Sequence, residues 1–396
     1  MLSPHRDLTV TVTSRHYLDF NATTPVRDSA RAAMNEALAL PGNPSSIHAE
    51  GRAARALVEQ ARRDVAALAG ADPANVVFTG CGSEANNLAL FGSRPARVIA
   101  SAIEHPSILR PAAERTGAFA LAPVTGDGVI DLAALEALLA TPATSADKGP
   151  TLVSVMGANN ETGVIQPVAD VIRLAHAAGA LCHVDAIQAA GRLKLDFKGL
   201  GCDMMSLSAH KIGGPKGVGA LICRDGLALA PLIAGGGQER SRRAGTENLS
   251  GLAGFAAAAR DVCAELDAGD EIPRLAGLRD RIERAVRAAR NDVHIIGGDA
   301  PRLANTACIA LAGTTAETMV MALDLDGIAV SAGSACSSGK VEASHVLAAM
   351  EIAPDVAIAA LRVSVGFSST EADVDAFIAA WSRHVARAPA PARQTA

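Results

Sequence analysis

Short apolar runs alternate with amphipathic stretches through the first two thirds of the chain. Apolar runs of strand length lie at residues 76–79, 98–104, 119–124, 151–157, 180–186, 204–210 and 218–224. Between them, apolar residues recur at helical spacing at residues 28–40, 50–69, 86–92, 131–140 and 168–179. Such alternation is typical of a mostly parallel sheet that helices cover on both faces. The pattern therefore predicts an α/β fold.

The pattern changes after about residue 263. A strongly charged helix is predicted at residues 273–290, followed by strand-like runs at 293–298, 306–313 and 361–367 and by a final helix. This change indicates a second, smaller α+β domain. We expect a large domain at residues 26–263, a small domain at residues 1–25 and 264–390, and a flexible tail at residues 391–396.

The composition excludes several classes of function. The chain has 49% hydrophobic and 19% charged residues, which is typical of a globular protein. A net charge of −5 and an aromatic content of 3% argue against binding to nucleic acid or to an anionic membrane. We expect a cytoplasmic protein, because no apolar run is long enough to span a membrane and the N-terminus lacks a hydrophobic signal core.

The seven cysteines are scattered along the chain. None lies closer than 20 residues to the next, so the paired spacing of zinc and redox motifs is absent. We therefore predict no metal site. An odd, dispersed set of cysteines in a cytoplasmic chain indicates reduced thiols.

A glycine-rich turn joins the predicted strand at 76–79 to the following helix. Exposed backbone N–H groups and the helix dipole at such a turn favour a bound phosphate. Gly80, Gly82 and Ala85 also match the dinucleotide pattern G-x-G-x-x-A, and Glu104 supplies an acid about 20 residues further on. The turn therefore predicts a phosphate site and leaves the kind of phosphate open.

Two charged residues supply the remaining parts of a cofactor site. Asp185 ends an apolar strand, where it either faces a ligand crevice or serves as a capping or ion-paired residue. Lys211 stands between a strand and a glycine run, where the alternative is an ordinary surface lysine. A phosphate turn, an acid on a strand and a partly desolvated lysine together meet the needs of pyridoxal phosphate. A nicotinamide cofactor has no comparable need for the lysine.

Eight motifs resemble, in the same order, those of cysteine desulfurases of the NifS/IscS type. They are YLDFNATTP, GNPSSIH, EHPSI, NNETG, HVDAIQ, SLSAHKIGGPKGVGAL, GGGQERSRRAGTEN and SAGSACSSG, and they extend from about Tyr17 to beyond Arg362. These enzymes belong to the class V group of fold-type I pyridoxal phosphate enzymes. The resemblance implies that fold, with a large PLP-binding domain and a smaller α+β domain.

The resemblance also implies roles around the cofactor. Lys211 would form the Schiff base, His105 would stack on the ring and move protons, and Asp185 would pair with the ring nitrogen. Gln188 and Asn160 would lie on the side of the ring hydroxyl. The residues that would hold the phosphate are Gly82, Ser83, Ser208 and His210.

Two further residues are implied to act on the substrate and across a subunit interface. Arg362 would bind the substrate carboxylate, since its planar guanidinium matches a carboxylate, and Asn160 would assist it. Thr246 would reach the cofactor phosphate of the other subunit of a homodimer.

Cys336 lies in the glycine- and serine-flanked stretch SAGSACSSG, which predicts a mobile, exposed loop. A thiolate on such a loop can attack sulfur and carry it away. The resemblance implies that L-cysteine is converted to alanine while Cys336 receives a persulfide. That sulfur would pass to an acceptor or scaffold protein for iron–sulfur clusters or other products.

Two related activities and one non-catalytic role remain open at this point. A selenocysteine lyase or an aminotransferase would use the same cofactor, although the cysteine loop argues against transamination. A non-catalytic dinucleotide-binding or sulfur-handling partner is disfavoured by the intact set of Lys211, Asp185, His105 and Cys336. Cys81, in the phosphate turn, departs from the glycine, alanine and threonine usual there in relatives. The chain also ends soon after the last predicted helix, which puts scaffold docking in doubt.

Overall fold

The computed structural model describes residues 15–115, 118–141, 149–333 and 344–386. Its strands are β1 His16–Tyr17, β2 Val76–Thr79, β3 Arg97–Ser101, β4 Ala118–Ala122, β5 Thr151–Met156, β6 Leu181–Asp185, β7 Met204–Ser208, β8 Gly219–Cys223, β9 Val293–Ile295, β10 Thr306–Leu311, β11 Ile328–Ala329, β12 Ser331–Ala332 and β13 Leu361–Ser364.

The helices connect and cover these strands. They are α1 Asp28–Leu38, α2 Ala49–Ala69, α3 Gly82–Gly92, α4 Pro106–Arg115, α5 Leu132–Ala140, α6 Val168–Ala177, α7 Phe197–Leu200, α8 Leu249–Ala268, α9 Glu271–Ala289, α10 Ala316–Leu325, α11 His345–Ala349, α12 Pro354–Ala357 and α13 Glu371–Val385.

A seven-stranded sheet forms the centre of the larger part of the molecule. Its order is β2-β8-β7-β6-β5-β3-β4. The neighbours from β7 through β4 pair in parallel, whereas β8 is antiparallel to both β7 and β2. The predicted mostly parallel α/β sheet is therefore confirmed, with an antiparallel edge formed by β8 and β2.

Both faces of this sheet are buried, as the continuous apolar strands predict. Successive strand residues point to opposite faces of the sheet. Val76 and Met205 therefore lie in one hydrophobic core, whereas Val77 and Met204 lie in the other. Helices α1, α2, α5, α6 and α8 contribute to the first core, and α3 and α4 contribute to the second.

A smaller, antiparallel sheet of order β12-β13-β10-β9 packs against α9 and α13. Its core includes Trp381 and Phe377 and also Leu18 from the start of the described chain. Helix α8 runs past the expected boundary at residue 263, and its Leu266 packs on the core of the large sheet. We therefore propose that the small domain begins at Gly269, where α8 ends.

The parallel strands direct their carboxyl ends to one edge of the large sheet. Ligands bind in the crevice at this edge in open α/β sheets. The segments that follow the carboxyl ends of β3, β5, β6 and β7 contain, respectively, His105, Asn160, Gln188 and Lys211. Among the described residues, no helix is long and apolar enough to cross a membrane.

Candidate active site

A cavity of about 340 Å³ opens at the carboxyl ends of β5, β6 and β7. Met156, Asp185 and Ser208, the last residues of these strands, line it. Arg362 of β13 and the N-terminal segment at Asn21 line it from the small domain. The cavity therefore lies between the two sheets.

The amine of Lys211 lies in a part of this cavity that is largely shielded from solvent. Its Nζ donates to Asn21 O at 2.5 Å and to Ala22 O at 3.0 Å. Burial, together with the nearby guanidiniums of Arg362 and Arg192, lowers the pKa of Lys211 from 10.5 to about 7, although the carboxylates of Asp19 and Asp185 act to raise it. The amine is therefore available as a nucleophile near neutral pH, which distinguishes Lys211 from a surface lysine.

Asp185 is a buried carboxylate at the same edge of the sheet. Its Oδ2 accepts from Asn86 Nδ2 at 2.7 Å and its Oδ1 accepts from Ile187 N at 3.0 Å. Burial raises the pKa of Asp185, whereas these two donors and the nearby Lys211 and His105 act to lower it. A protonated ring nitrogen would compensate a carboxylate buried in this way.

His105 lies on the cavity wall with a defined tautomer. Its Nδ1 accepts from Ser107 N at 3.1 Å and lies 2.8 Å from Ser107 Oγ, so the ring proton is on Nε2. Burial lowers the pKa of His105, and Lys211 and His345 lower it further, while Asp185 raises it. The imidazole is therefore neutral and can exchange a proton with a bound ligand.

The N-terminus of α3 forms one end of the cavity. Cys81, Gly82 and Ser83 line it together with Ser208 and His210. Among the described residues, Ser208 Oγ is buried without a hydrogen-bond partner. A Cβ at Gly82 would lie 2.4 Å from Ile187 Cδ1 and 3.1 Å from Ser208 Cβ, so glycine leaves room between these side chains at the start of the helix. These features, with a helix of eleven residues behind them, suit a bound phosphate.

Gln188 and Asn160 line the cavity together with Arg362, and their expected contact with the side of the ring hydroxyl stays a prediction. Gln188 Nε2 donates to Asn21 O at 2.9 Å, and its buried Oε1 has no partner among the described residues. Arg362 donates from Nη1 to Asn160 O at 3.0 Å and from Nη2 to Asp19 Oδ1 at 2.8 Å. Asn160 thus contacts Arg362 through its backbone.

Of the predicted site residues, Thr246 does not line this cavity, and Cys336 is not among the described residues. Thr246 lines a separate pocket with Thr79, Gly80 and Arg243. That position leaves the expected role of Thr246 in the other subunit as a prediction. Cys336 and most of its glycine- and serine-flanked stretch lie outside the described residues, although Ser331, five positions before it, lines the cavity.

The dinucleotide pattern does not have the required geometry. Strand β2, which precedes Gly80, is antiparallel to β8 and does not begin a parallel strand–helix–strand unit. Glu104 is fully buried, and its Oε1 accepts from Met156 N at 2.7 Å. Glu104 is therefore a structural carboxyl of the strand edge and does not face a ribose.

Sequence reasoning missed three polar residues of the site, Asn86, Asn21 and Asp19. Asn86 connects Asp185 to Ser107, because its Nδ2 also lies 2.9 Å from Ser107 Oγ. Asn21 accepts from Lys211 and from Gln188 through its backbone oxygen. Asp19 orients Arg362. Asn21 and Asp19 lie inside the motif YLDFNATTP, which was the available signal for these two.

Residues 16–377 match the family model of class-V aminotransferases. The chain is 42% identical to the cysteine desulfurase of Cereibacter sphaeroides over 372 residues, which cover 91% of this chain and 93% of that protein. It is 40% identical over 386 residues to the IscS-like cysteine desulfurase of Mycobacterium tuberculosis, covering 94% of this chain and 96% of the relative. A NifS-like protein from Rickettsia africae has a similar structure, with a TM-score of 0.87, 32% identity and coverage of 94% and 99% of the two chains.

The chain therefore belongs to the class-V aminotransferase family, and its relatives include cysteine desulfurases. The predicted family, fold type and pyridoxal phosphate cofactor are confirmed. The residues present fit that cofactor, because the unpartnered Ser208 Oγ and the glycine at position 82 suit its phosphate. Asp185 would hold its ring nitrogen and Lys211 would bind its aldehyde carbon.

Cofactor loading is expected to accelerate as the pH rises through about 7. Below that value the Lys211 amine is protonated and cannot attack the aldehyde, and above it the neutral amine is present. The measurement is the growth of visible absorbance after pyridoxal phosphate is added to cofactor-free protein between roughly pH 6 and pH 9. Arg192→Met should move the midpoint to higher pH, because it removes a nearby positive charge. A rate that is flat across this range would contradict the lowered pKa.

Proposed function

We propose that this protein is a cysteine desulfurase that converts L-cysteine to L-alanine and holds the released sulfur as a persulfide on Cys336. Relatives of 40% and 42% identity over more than nine tenths of the chain bear that name. The structural observation that carries the proposal is that Ser331 lines the cavity of Lys211, so the chain reaches the cofactor site five positions before Cys336.

The chain's own residues would bind the substrate and move its protons. When bound, pyridoxal phosphate acts as an electron sink that stabilises negative charge at the substrate's Cα. Arg362, whose buried Nε has no partner among the described residues, would bind the α-carboxylate. Lys211 Nζ, with a pKa near 7, and the neutral imidazole of His105 are suited to removing and returning a proton.

The sulfur step would use Cys336 as nucleophile. Its thiolate forms an S–S bond with the substrate's sulfur as the substrate's Cβ–S bond breaks. The electron pair of that bond passes to Cβ, which takes up a proton and becomes the methyl group of alanine. The products are alanine and an enzyme persulfide, so no external oxidant or reductant is required.

We further propose a homodimer, a cytoplasmic location and a protein sulfur acceptor. In the homodimer Thr246 would act on the partner's cofactor, and its position in a pocket apart from this chain's cavity supports that role. Six described cysteines are free, which agrees with a reducing compartment. The acceptor would carry the sulfur toward iron–sulfur clusters or other sulfur-containing products.

The product distribution tests the proposed function. With L-cysteine and a thiol reductant, we expect equal amounts of alanine and sulfide. Formation of a keto acid with conversion of the cofactor to its amine form would show an aminotransferase instead. A parallel rate measurement with L-selenocysteine distinguishes a selenocysteine lyase, which would use that substrate far faster than cysteine.

A further inference from the structure

Glu161 is a buried acid next to Asn160, a residue of the cavity wall, and it has no role in the chemistry described so far. It follows Asn160 in the turn after β5, and it is only 4% exposed to solvent. Its backbone N–H donates to Asn159 Oδ1 at 2.9 Å, which holds the turn in place. Burying a carboxylate is costly unless the carboxylate has a partner.

The partner of Glu161 is the first described residue after the Cys336 segment. Ser344 Oγ donates to Glu161 Oε2 at 2.6 Å. The same hydroxyl accepts from Leu347 N at 3.1 Å and so caps the first turn of α11. Glu161 therefore holds Ser344, the first described residue after position 343 and the N-cap of α11.

The neighbouring residue is held by the same edge of the large sheet. His345 Nε2 lies 2.9 Å from Glu104 O, to which it donates. Glu104 immediately precedes His105, so this contact ties the chain after the Cys336 segment to the catalytic histidine's own backbone. Two consecutive residues of the small domain are thus bound to two acceptors of the large domain.

The chain before the segment approaches the same carboxylate. Gly333 N donates to Ala360 O at 2.8 Å, which holds Gly333 beside β13. A Cβ placed on Gly333 would lie 3.6 Å from Glu161 Oε2. Gly333 and Ser344, the described residues on either side of the Cys336 segment, therefore both lie beside the Glu161 side chain.

The charge that acts on Glu161 is that of Arg362, which lines the cavity. The pKa of Glu161 is raised to about 7, because the effect of burial outweighs the lowering effects of the Ser344 hydrogen bond and the positive charge of Arg362. Burial, together with the nearby charge of Glu161, raises the pKa of the Cys308 thiol to about 12. Glu161 is thus linked on one side to the substrate-binding arginine and on the other to the end of the Cys336 segment.

We propose that Glu161 is a positioning residue for Cys336, which it serves by binding Ser344 and so fixing the end of the segment that carries the nucleophile. This inference rests on the proposed desulfurase function. It assigns Glu161 to the sulfur step, because among the described residues the hydrogen bonds of Arg362 go to Asn160 O and Asp19 and none goes to Glu161.

Glu161→Gln and Ser344→Ala are expected to lower kcat for alanine formation roughly tenfold, since each weakens a charge-assisted hydrogen bond. KM for L-cysteine and cofactor affinity should stay within about twofold of the wild type. The rapid change in visible absorbance on mixing with L-cysteine should keep its wild-type rate. Because the two side chains act through one bond, the double variant should be no more than about twice as impaired as the worse single variant. Ser344→Thr, which keeps the hydroxyl, should restore kcat.

Glu283→Gln is the matched control, because Glu283 is also a buried acid of this chain and pairs with Arg302 at 2.7 Å away from the cavity. It should lower the unfolding temperature and leave kcat unchanged. The inference is overturned if Glu161→Gln leaves kcat unchanged, if it slows the rapid absorbance change as much as alanine formation, or if the double variant shows multiplied losses. Failure of the wild-type protein to form alanine would instead overturn the proposed function.

Discussion

Lys211→Ala is expected to remove the visible absorption of the purified protein and to lower alanine formation by at least roughly a thousandfold. Lys211 would supply both the covalent link to the cofactor and a proton-transfer group, and its Nζ lies in the cavity lined by Asp185 and Ser208. The measurements are the absorption spectrum after addition of pyridoxal phosphate and the rate of alanine release.

Lys216→Ala is the control for this prediction. Lys216 lies in the same glycine-rich loop, but its side chain is exposed. Its removal should leave the spectrum and the rate unchanged. A Lys211→Ala protein that kept both the visible band and the activity would show that the cofactor is bound elsewhere.

Cys336→Ser is expected to lower the rate of sulfide release roughly a thousandfold, while the visible absorption and the cofactor affinity remain at wild-type values. The serine oxygen is a far weaker nucleophile than a thiolate toward sulfur. The substitution leaves unchanged Lys211, Asp185 and Ser208, which line the cavity and are proposed to hold the cofactor, so cofactor binding should be retained.

Cys263→Ser is a suitable control because Cys263 is a partly buried thiol of helix α8 that packs on the core of the large sheet. Its activity should match the wild type. Persistence of sulfide release in Cys336→Ser would mean that another group accepts the sulfur.

The central part of the fold follows from local sequence patterns. Buried parallel strands are continuously apolar, and this predicts the helices and strands around β5, β6 and β7. The antiparallel direction of β8 and β2 could not be predicted in this way, since an apolar run carries no sign of its direction. The same holds for β1, whose partner β11 lies more than three hundred residues away along the chain.

Some residues of the candidate site could likewise be predicted from local sequence patterns, whereas others could not. Asp185 and Lys211 could be found because Asp185 ends an apolar strand and Lys211 lies three residues after the end of another, and such residues lie at the ligand edge of a parallel sheet. Asn86 could not be found, because its contact with Asp185 joins a helix to a strand 99 residues further on. Glu161 was part of the motif NNETG, yet its partner Ser344 lies 183 residues away, so the motif alone gave no role for the acid.

The most direct test of the proposed sulfur transfer is mass spectrometry of the wild-type protein after brief exposure to L-cysteine without a reductant. The peptide that contains Cys336 should gain the mass of one sulfur atom, with one alanine formed per modified chain, and a thiol reductant should remove the added sulfur. Formation of alanine and sulfide with every peptide of the protein unmodified would contradict the persulfide mechanism.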